Sequence, residues 1–280
     1  MTTAASPSAS SLAPTRTPAA AARTAFASLL FRDLVVVRKT WKEVVPRSLI
    51  QPFLLVFVFA YVFPKIGQGV GGRPGESNFS TLLVAGVIGL AIMFQGIQSV
   101  AIPMVQEFGY TREIEDRVQA PLPVSLVAVE KAVAGALNGL FAALLVFPIA
   151  AIVPATPVNL DVSWLELLTI VPIGCYMCGA LGLTFGTRFE PRTVPMLFGI
   201  FVIPITFLGA VYYSWSTLKP VRWLQIVVLV NPLVYLCEGL RAALTTSQHM
   251  SLWVVYPVLL GFSALFTWLG INGFKKRVLS

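Results

Sequence analysis

Charge is scarce in this chain. Only 11% of its 280 residues are Asp, Glu, Lys or Arg, against about 25% in water-soluble domains, so there is too little charge to cover a water-facing surface. Histidine occurs once, at His249, and cysteine three times, at Cys175, Cys178 and Cys237. That leaves little for metal or redox chemistry. The "CYMC" stretch matches C-x-x-C, but a structural zinc needs about four ligands and no second pair exists. It lies in an apolar run beside Gly174 and Gly179, so it reads as small residues packing within a helix. Nucleotide and hydrolase signatures are missing too: no G-x-x-x-x-G-K-[ST], no serine elbow and no H-E-x-x-H. The glycine-rich "GQGVGGRPG" at 67–75 lacks the phosphate-binding lysine and reads as a flexible loop. No cofactor or metal is expected on this chain, and it is not expected to be an enzyme.

What the chain does have is apolar length. Hydrophobic residues make up 56% of it, mean hydropathy is +0.81, and the expected solvent is a bilayer. The formal net charge of +8 does not point to nucleic acid, because the basic residues fall between apolar runs instead of clustering with aromatics. A span needs about 20 predominantly apolar residues. Six stretches qualify, at about 48–65, 80–103, 125–153, 165–188, 193–213 and 252–273. Pro148 and Pro154 are expected to kink or end the third. The expected fold is all-α: a polytopic integral membrane protein of six transmembrane helices.

Orientation follows from the loops. With six spans both termini share a side, and that side carries 15 of the 20 basic residues against 5 opposite. Both termini are therefore expected in the cytoplasm. Residues 1–24, rich in Ala, Ser, Thr and Pro, have no apolar core behind a basic start and read as a disordered tail, not a signal peptide. In 25–47, Phe26, Leu30, Leu34, Val37, Trp41 and Val44 recur every three or four residues. Arg32, Asp33, Arg38, Lys39, Lys42 and Glu43 fill much of the remaining surface, as in an amphipathic helix lying in the membrane interface or docked on a partner. The permease region is then 48–280.

Two further stretches stand out. "VRWLQIVVLVNPLVYLCEGLRAAL" is apolar but interrupted by Asn231 and Pro232. Proline restricts the residue before it and cannot donate a backbone hydrogen bond. Each arm is too short to cross, so a re-entrant helical pair on the outer side is expected before the last span. "QEFGYTREIEDRVQAPLPVS" packs Glu107, Arg112, Glu113, Glu115, Asp116 and Arg117 between two spans. Carboxylates this close can do acid–base work. On a helix, however, Glu113 pairs with Arg117 and Arg112 with Asp116, one turn apart. Pro121 and Pro123 then stop the helix. The result reads as a short charged element at the cytoplasmic surface, suited to docking a soluble partner.

The spans hold few ionisable groups. Gln51, Gln95, Gln98 and Asn138 are their main polar residues, while Glu130, Lys131 and Glu166 sit near span ends. An ion-coupled transporter usually keeps ionisable residues inside the membrane, so energy for any transport is expected from outside it.

Three quoted stretches carry a family resemblance: "RSLIQPFLLVFVFAYVF", "REIEDRVQAPLPVSLVAVEKAV", and "VYYSWSTLKPVRWLQIVVLVNPLVYLCEGLRAAL" with its NP…E-x-x-R pattern. Together and in this order they resemble the permease subunits of type-2 ABC exporters, including drug-resistance and nodulation-factor export permeases. The resemblance implies a permease in a bacterial plasma membrane, paired with a second permease chain and two copies of an ABC ATPase that holds ATP and Mg. It implies ATPase coupling through about 107–123 (Glu107, Tyr110, Arg112, Glu113, Glu115, Asp116 and Arg117). The interfacial helix (Arg32, Arg38, Lys39, Trp41 and Lys42) would also touch the ATPase. It further implies an outer gate at about 215–246 (Asn231, Pro232, Glu238 and Arg241). "REIEDR" departs from the family's common E-x-G-T-L-E pattern. The expected cargo is an amphipathic or lipid-like molecule or drug. A polysaccharide or glycolipid exporter of the same class is the first alternative. A membrane-embedded enzyme or assembly scaffold is the second, and it needs a polar cluster facing one cavity, which the sequence does not reveal.

Overall fold

The computed structural model describes residues 18–66, 77–111, 122–155, 158–189, 193, 196 and 198–279. No strand occurs among them. The helices are α1 (Pro18–Lys39), α2 (Trp41–Val56), α3 (Ser77–Gln106), α4 (Val124–Ile152), α5 (Trp164–Arg188), α6 (Ile203–Phe207), α7 (Arg222–Val227), α8 (Pro232–Leu244) and α9 (Leu252–Leu279). Wide π turns extend α2 through Phe57–Val62 and α3 through Glu107–Thr111, and another, Phe198–Val202, precedes α6.

Five stretches are long and apolar enough to cross a membrane: Ser48–Lys65, Phe79–Gly109, Val124–Ile152, Trp164–Arg188 and Leu252–Val278. They match the expected first to fourth and sixth spans. The expected fifth, 193–213, is described only in part. Its helical portion runs from Phe198 to Phe207, and Ala210 then turns the chain with φ of 55°. Pro148 does not break the third span, which runs through it and stops before Pro154. α1 begins at Pro18, inside the stretch expected to be a disordered tail.

Helix directions follow from which residues touch. A Cβ on Gly179 of α5 would lie 2.3 Å from the Ala132 carbonyl oxygen of α4, and one on Gly139 of α4 would lie 3.6 Å from Cys175 of α5. Residue numbers run oppositely, so α4 and α5 are antiparallel. α9 is parallel to α5: Thr169 bonds Tyr256 near one end, and Thr187 bonds the Gly270 carbonyl near the other. The chain leaving α5 at Arg188 must therefore return once to the starting end before α9 begins. The 193–213 stretch is long enough for that return.

The helix pair beyond that stretch is sharply bent. Arg222–Val230 and Pro232–Leu244 meet at 98°, the bend falling at Asn231 and Pro232 as proline's lost donor requires. α8 ends beside the start of α5, where the Asp161 and Ser163 amides donate to the Leu244 and Ala243 carbonyls at 3.0 and 2.9 Å. Every residue of α8 is buried.

α3, α4 and α5 form the centre, and α8 packs on α3, α5 and α9. Small residues set the spacing, as expected where lipid supplies no hydrophobic drive between helices. Gly86 packs so closely on the 210–211 turn that a Cβ would sit 2.0 Å from the Val211 oxygen. Cys175, Cys178 and Cys237 are free thiols buried in this core. Large apolar side chains instead cover the outside, including Trp164 and Trp253 at the matching ends of α5 and α9, the placement of an aromatic belt.

Candidate functional site

The end of the bundle holding the C-termini of α3, α5 and α9 is bound together by basic and aromatic residues. Arg277 donates to the Gly186 and Phe189 carbonyls at 2.8 and 3.0 Å, capping orphan acceptors at the end of α5. Its guanidinium also lies over the Phe108 ring at 5.0 Å. Lys275, Lys276, Arg277 and Arg188 thus share one end with Glu107.

At that end one cation joins three elements. Lys131, in the second turn of α4, donates to Glu107 at 2.8 Å and to Asp33 of α1 at 3.1 Å. Lys131 is only 4% exposed, so replacing it by a neutral residue would take from two carboxylates the buried cation they share. Neighbouring Glu130 is fully buried as well.

Glu130 and Lys131 lie near the start of their span, as expected, and both are buried there. Asp33 departs from the sequence-based expectation. Asp33 is not on the solvated face of the interfacial helix: α1 turns Ala22, Ala25, Phe26, Leu29 and Asp33 toward the bundle. Leu34 and Trp41, on the apolar face expected of the interfacial helix, are not covered by the bundle, Trp41 being 54% exposed. The periodicity already held the signal, since Asp33 lies three and four residues from Leu30 and Val37, on the face begun by Phe26. Arg38, Lys39 and Lys42 are exposed as expected. Val44's side chain lies outside the described residues.

Of the coupling residues expected in 107–123, only Glu107 can be placed in detail. The Tyr110 side chain and all of Arg112, Glu113, Glu115, Asp116 and Arg117 lie outside the described residues.

Beside the ionic cluster is a cavity of about 470 Å³ between α1, α3 and α4. Its charged lining is Arg32, Asp33, Glu107 and Lys131, and its neutral polar lining includes Gln95, Gln98, Ser99 and Asn138. The sequence does not reveal a polar cluster facing one cavity, because these residues come from three separate helices. The cluster is not built as a catalyst. Each carboxylate lining the cavity is held by Lys131, leaving neither poised as a free base. Gln51 lies apart, in a small hollow of about 30 Å³ that shares Gln95 and Gln98, and Ser48 donates to Gln95 at 3.0 Å.

At the opposite end, Glu238 and Arg241 of α8 are both fully buried and ion-paired at 2.5 Å. Glu238 also accepts the Trp215 amide at 2.8 Å and the Met250 amide at 2.7 Å. Arg241 donates to the Ala210 carbonyl at 2.9 Å, which helps hold Ala210 in a backbone region that costs a non-glycine residue about 1–3 kcal/mol. Asn231 caps α8, accepting the Leu233 amide at 2.9 Å while donating to the Ile205 carbonyl at 2.7 Å. The pair is a buried staple across three chain segments, not an interfacial pair of charges.

A bundle of long apolar helices with a buried polar hub at each end and a sharply bent helix pair defines a polytopic helical membrane protein. The chain belongs to the ABC-2 type transporter family, whose model matches residues 24–245. It is 26% identical over 242 residues to the inner membrane transport permease YadH of Escherichia coli K12, covering 83% of this chain and 91% of that protein. The YadH of Shigella flexneri matches to the same extent.

Proposed function

We propose that this chain is the membrane-spanning subunit of an ATP-driven exporter, lying in a bacterial inner membrane with both termini in the cytoplasm. It works as a pair of permeases with two copies of a separate ABC ATPase that binds ATP and Mg, and it moves an amphipathic or lipid-like molecule. The family and the name carried by its relative support a permease; direction, stoichiometry and cargo are our reading.

The observation that carries the proposal is the Lys131 cluster. Two cytoplasmic elements are expected to meet the ATPase: α1 and the segment from 107 to 123. Asp33 comes from the first and Glu107 opens the second, and both bind one buried cation at the start of α4. Breaking a buried pair costs about 3–5 kcal/mol, so displacement of either element carries α4 with it more readily than it breaks the cluster. At the outer end, the Glu238–Arg241 staple makes α8 a rigid unit. An outer gate then moves α8 together with the 210–215 segment.

A sugar-chain conduit would line its cavity with aromatics, and a drug or lipid exporter would offer a narrow apolar cleft. The cavity beside Lys131 has no aromatic lining among the described residues and is not an apolar cleft; its amides and mixed charges beside an apolar wall suit the head of an amphiphile better than a stacked sugar chain. The test is reconstitution. Purified permease with its cognate ATPase should show ATPase activity that depends on the permease. The permease alone should hydrolyse nothing, and hydrolysis by this polypeptide by itself would overturn the reading.

A further inference from the structure

We infer that the cavity between α1, α3 and α4 is a binding site for the uncharged, hydroxyl- or amide-bearing head of an amphiphile entering from the inner leaflet. This rests on the proposed export function and narrows its cargo class.

Size and depth come first. The cavity holds about 470 Å³, within the range of small-molecule sites, about 300–1,000 Å³. On α3 its lining runs from Gln95 to Glu107, twelve residues or about 18 Å of helix. It therefore reaches from the cytoplasmic end well into the bilayer.

Lining chemistry sets the ligand. Near the mouth, two cations and two carboxylates (Arg32, Lys131, Asp33 and Glu107) line the cavity, and their formal charges cancel. Among the described residues, a charged head would enter a partly desolvated space that offers no net countercharge, and burying an uncompensated charge is strongly unfavourable. Farther in, the polar groups are neutral. The Asn138 amide nitrogen donates to the Ala134 carbonyl at 2.9 Å, leaving its oxygen to accept from the cavity. Gln95 uses its oxygen toward Ser48, leaving its NH2 to donate. Gln98, between them in the lining, makes no hydrogen bond within the protein among the described residues, and its amide both donates and accepts. Donors and acceptors side by side match hydroxyl and amide groups, which are both at once. Val36, Val37, Ile102 and Pro103 form the apolar part of the wall, suited to the first methylenes of a chain.

The test is direct binding to the full-length chain in phosphatidylcholine nanodiscs. Labelled dodecyl maltoside is the probe, with dodecyl trimethylammonium and dodecyl phosphate as competitors of equal chain length. Saturable maltoside binding, displaced poorly by either charged amphiphile, is expected. Gln98→Leu and Asn138→Leu should each weaken it about tenfold, the loss of roughly one hydrogen bond. Gln98→Asn, which keeps the amide, should weaken it less and guards against misfolding of the leucine variants. Equal displacement by a charged competitor, no saturable binding, or unchanged affinity in both leucine variants would each overturn the assignment. The export reading is judged separately, by permease-dependent ATPase activity of the reconstituted complex. Either result can fail while the other stands.

Discussion

Lys131 and Asp33 stand 98 positions apart in sequence, yet their side chains meet at 3.1 Å inside the end of the bundle that holds the C-termini of α3, α5 and α9. This contact fixes the face that α1 turns to the membrane domain. Asp33 packs inward against a buried cation, and Lys131 lies at that depth between two carboxylates.

Lys131→Met should therefore be among the most damaging single changes at this end. It removes the cation that Asp33 and Glu107 share, a loss of about 3–5 kcal/mol. Thermal unfolding in detergent should show the drop. Lys131→Arg should lie between Met and the native residue in both stability and permease-dependent ATPase activity. A Met variant with native stability and full activity would remove the cluster from the coupling route.

Reversing the charges at Glu113, Glu115 and Asp116 together should act differently. These residues belong to the segment expected to dock the ATPase, so the variant should fold and insert normally while ATP hydrolysis no longer drives transport. Stimulated hydrolysis and cargo movement are measured side by side in vesicles. Normal values for both would count against a docking role.

At the opposite end, Glu238→Gln and Arg241→Met should each destabilise by about 3–5 kcal/mol, because each strands its buried partner. The double variant should cost clearly less than the two singles added, since neither charge is then left alone. Simple additivity across this cycle would mean that the two side chains act independently despite their geometry.

Two glycines give a steric contrast. Gly86→Ala drives a methyl group into the Val211 carbonyl oxygen, 2.0 Å away, where backbone must move. It should cost about 1–3 kcal/mol, the usual range for overpacking. Gly261→Ala on α9 meets nothing within 4 Å and should be neutral or slightly stabilising by helix propensity. Unfolding midpoints of the two variants decide this, and equal midpoints would show that the 210–211 turn yields freely.

Much of the architecture was legible in the order of residues. Apolar runs of span length, a proline after Asn231, and basic residues gathered on alternate loops are local properties, and a bilayer reads them almost one segment at a time. Hydrocarbon accepts no unsatisfied backbone, so a long apolar run has few options besides a helix. Local pattern also suggested that 107–123 is exceptional, and that Asn231 and Pro232 mark a break.

Side-chain partnership was decided only by the tertiary structure. Whether Asp33 faces water or Lys131, whether Glu238 and Arg241 lie at an interface or staple Trp215 and Met250 to α8, and whether Gln98 and Asn138 share a cavity all depend on how separate helices are rotated against one another. Sequence periodicity locates a face but does not name what the face meets. The reason is energetic: a charge at membrane depth is tolerable only beside its counterion, and that counterion arrives from a part of the chain nearly a hundred residues away.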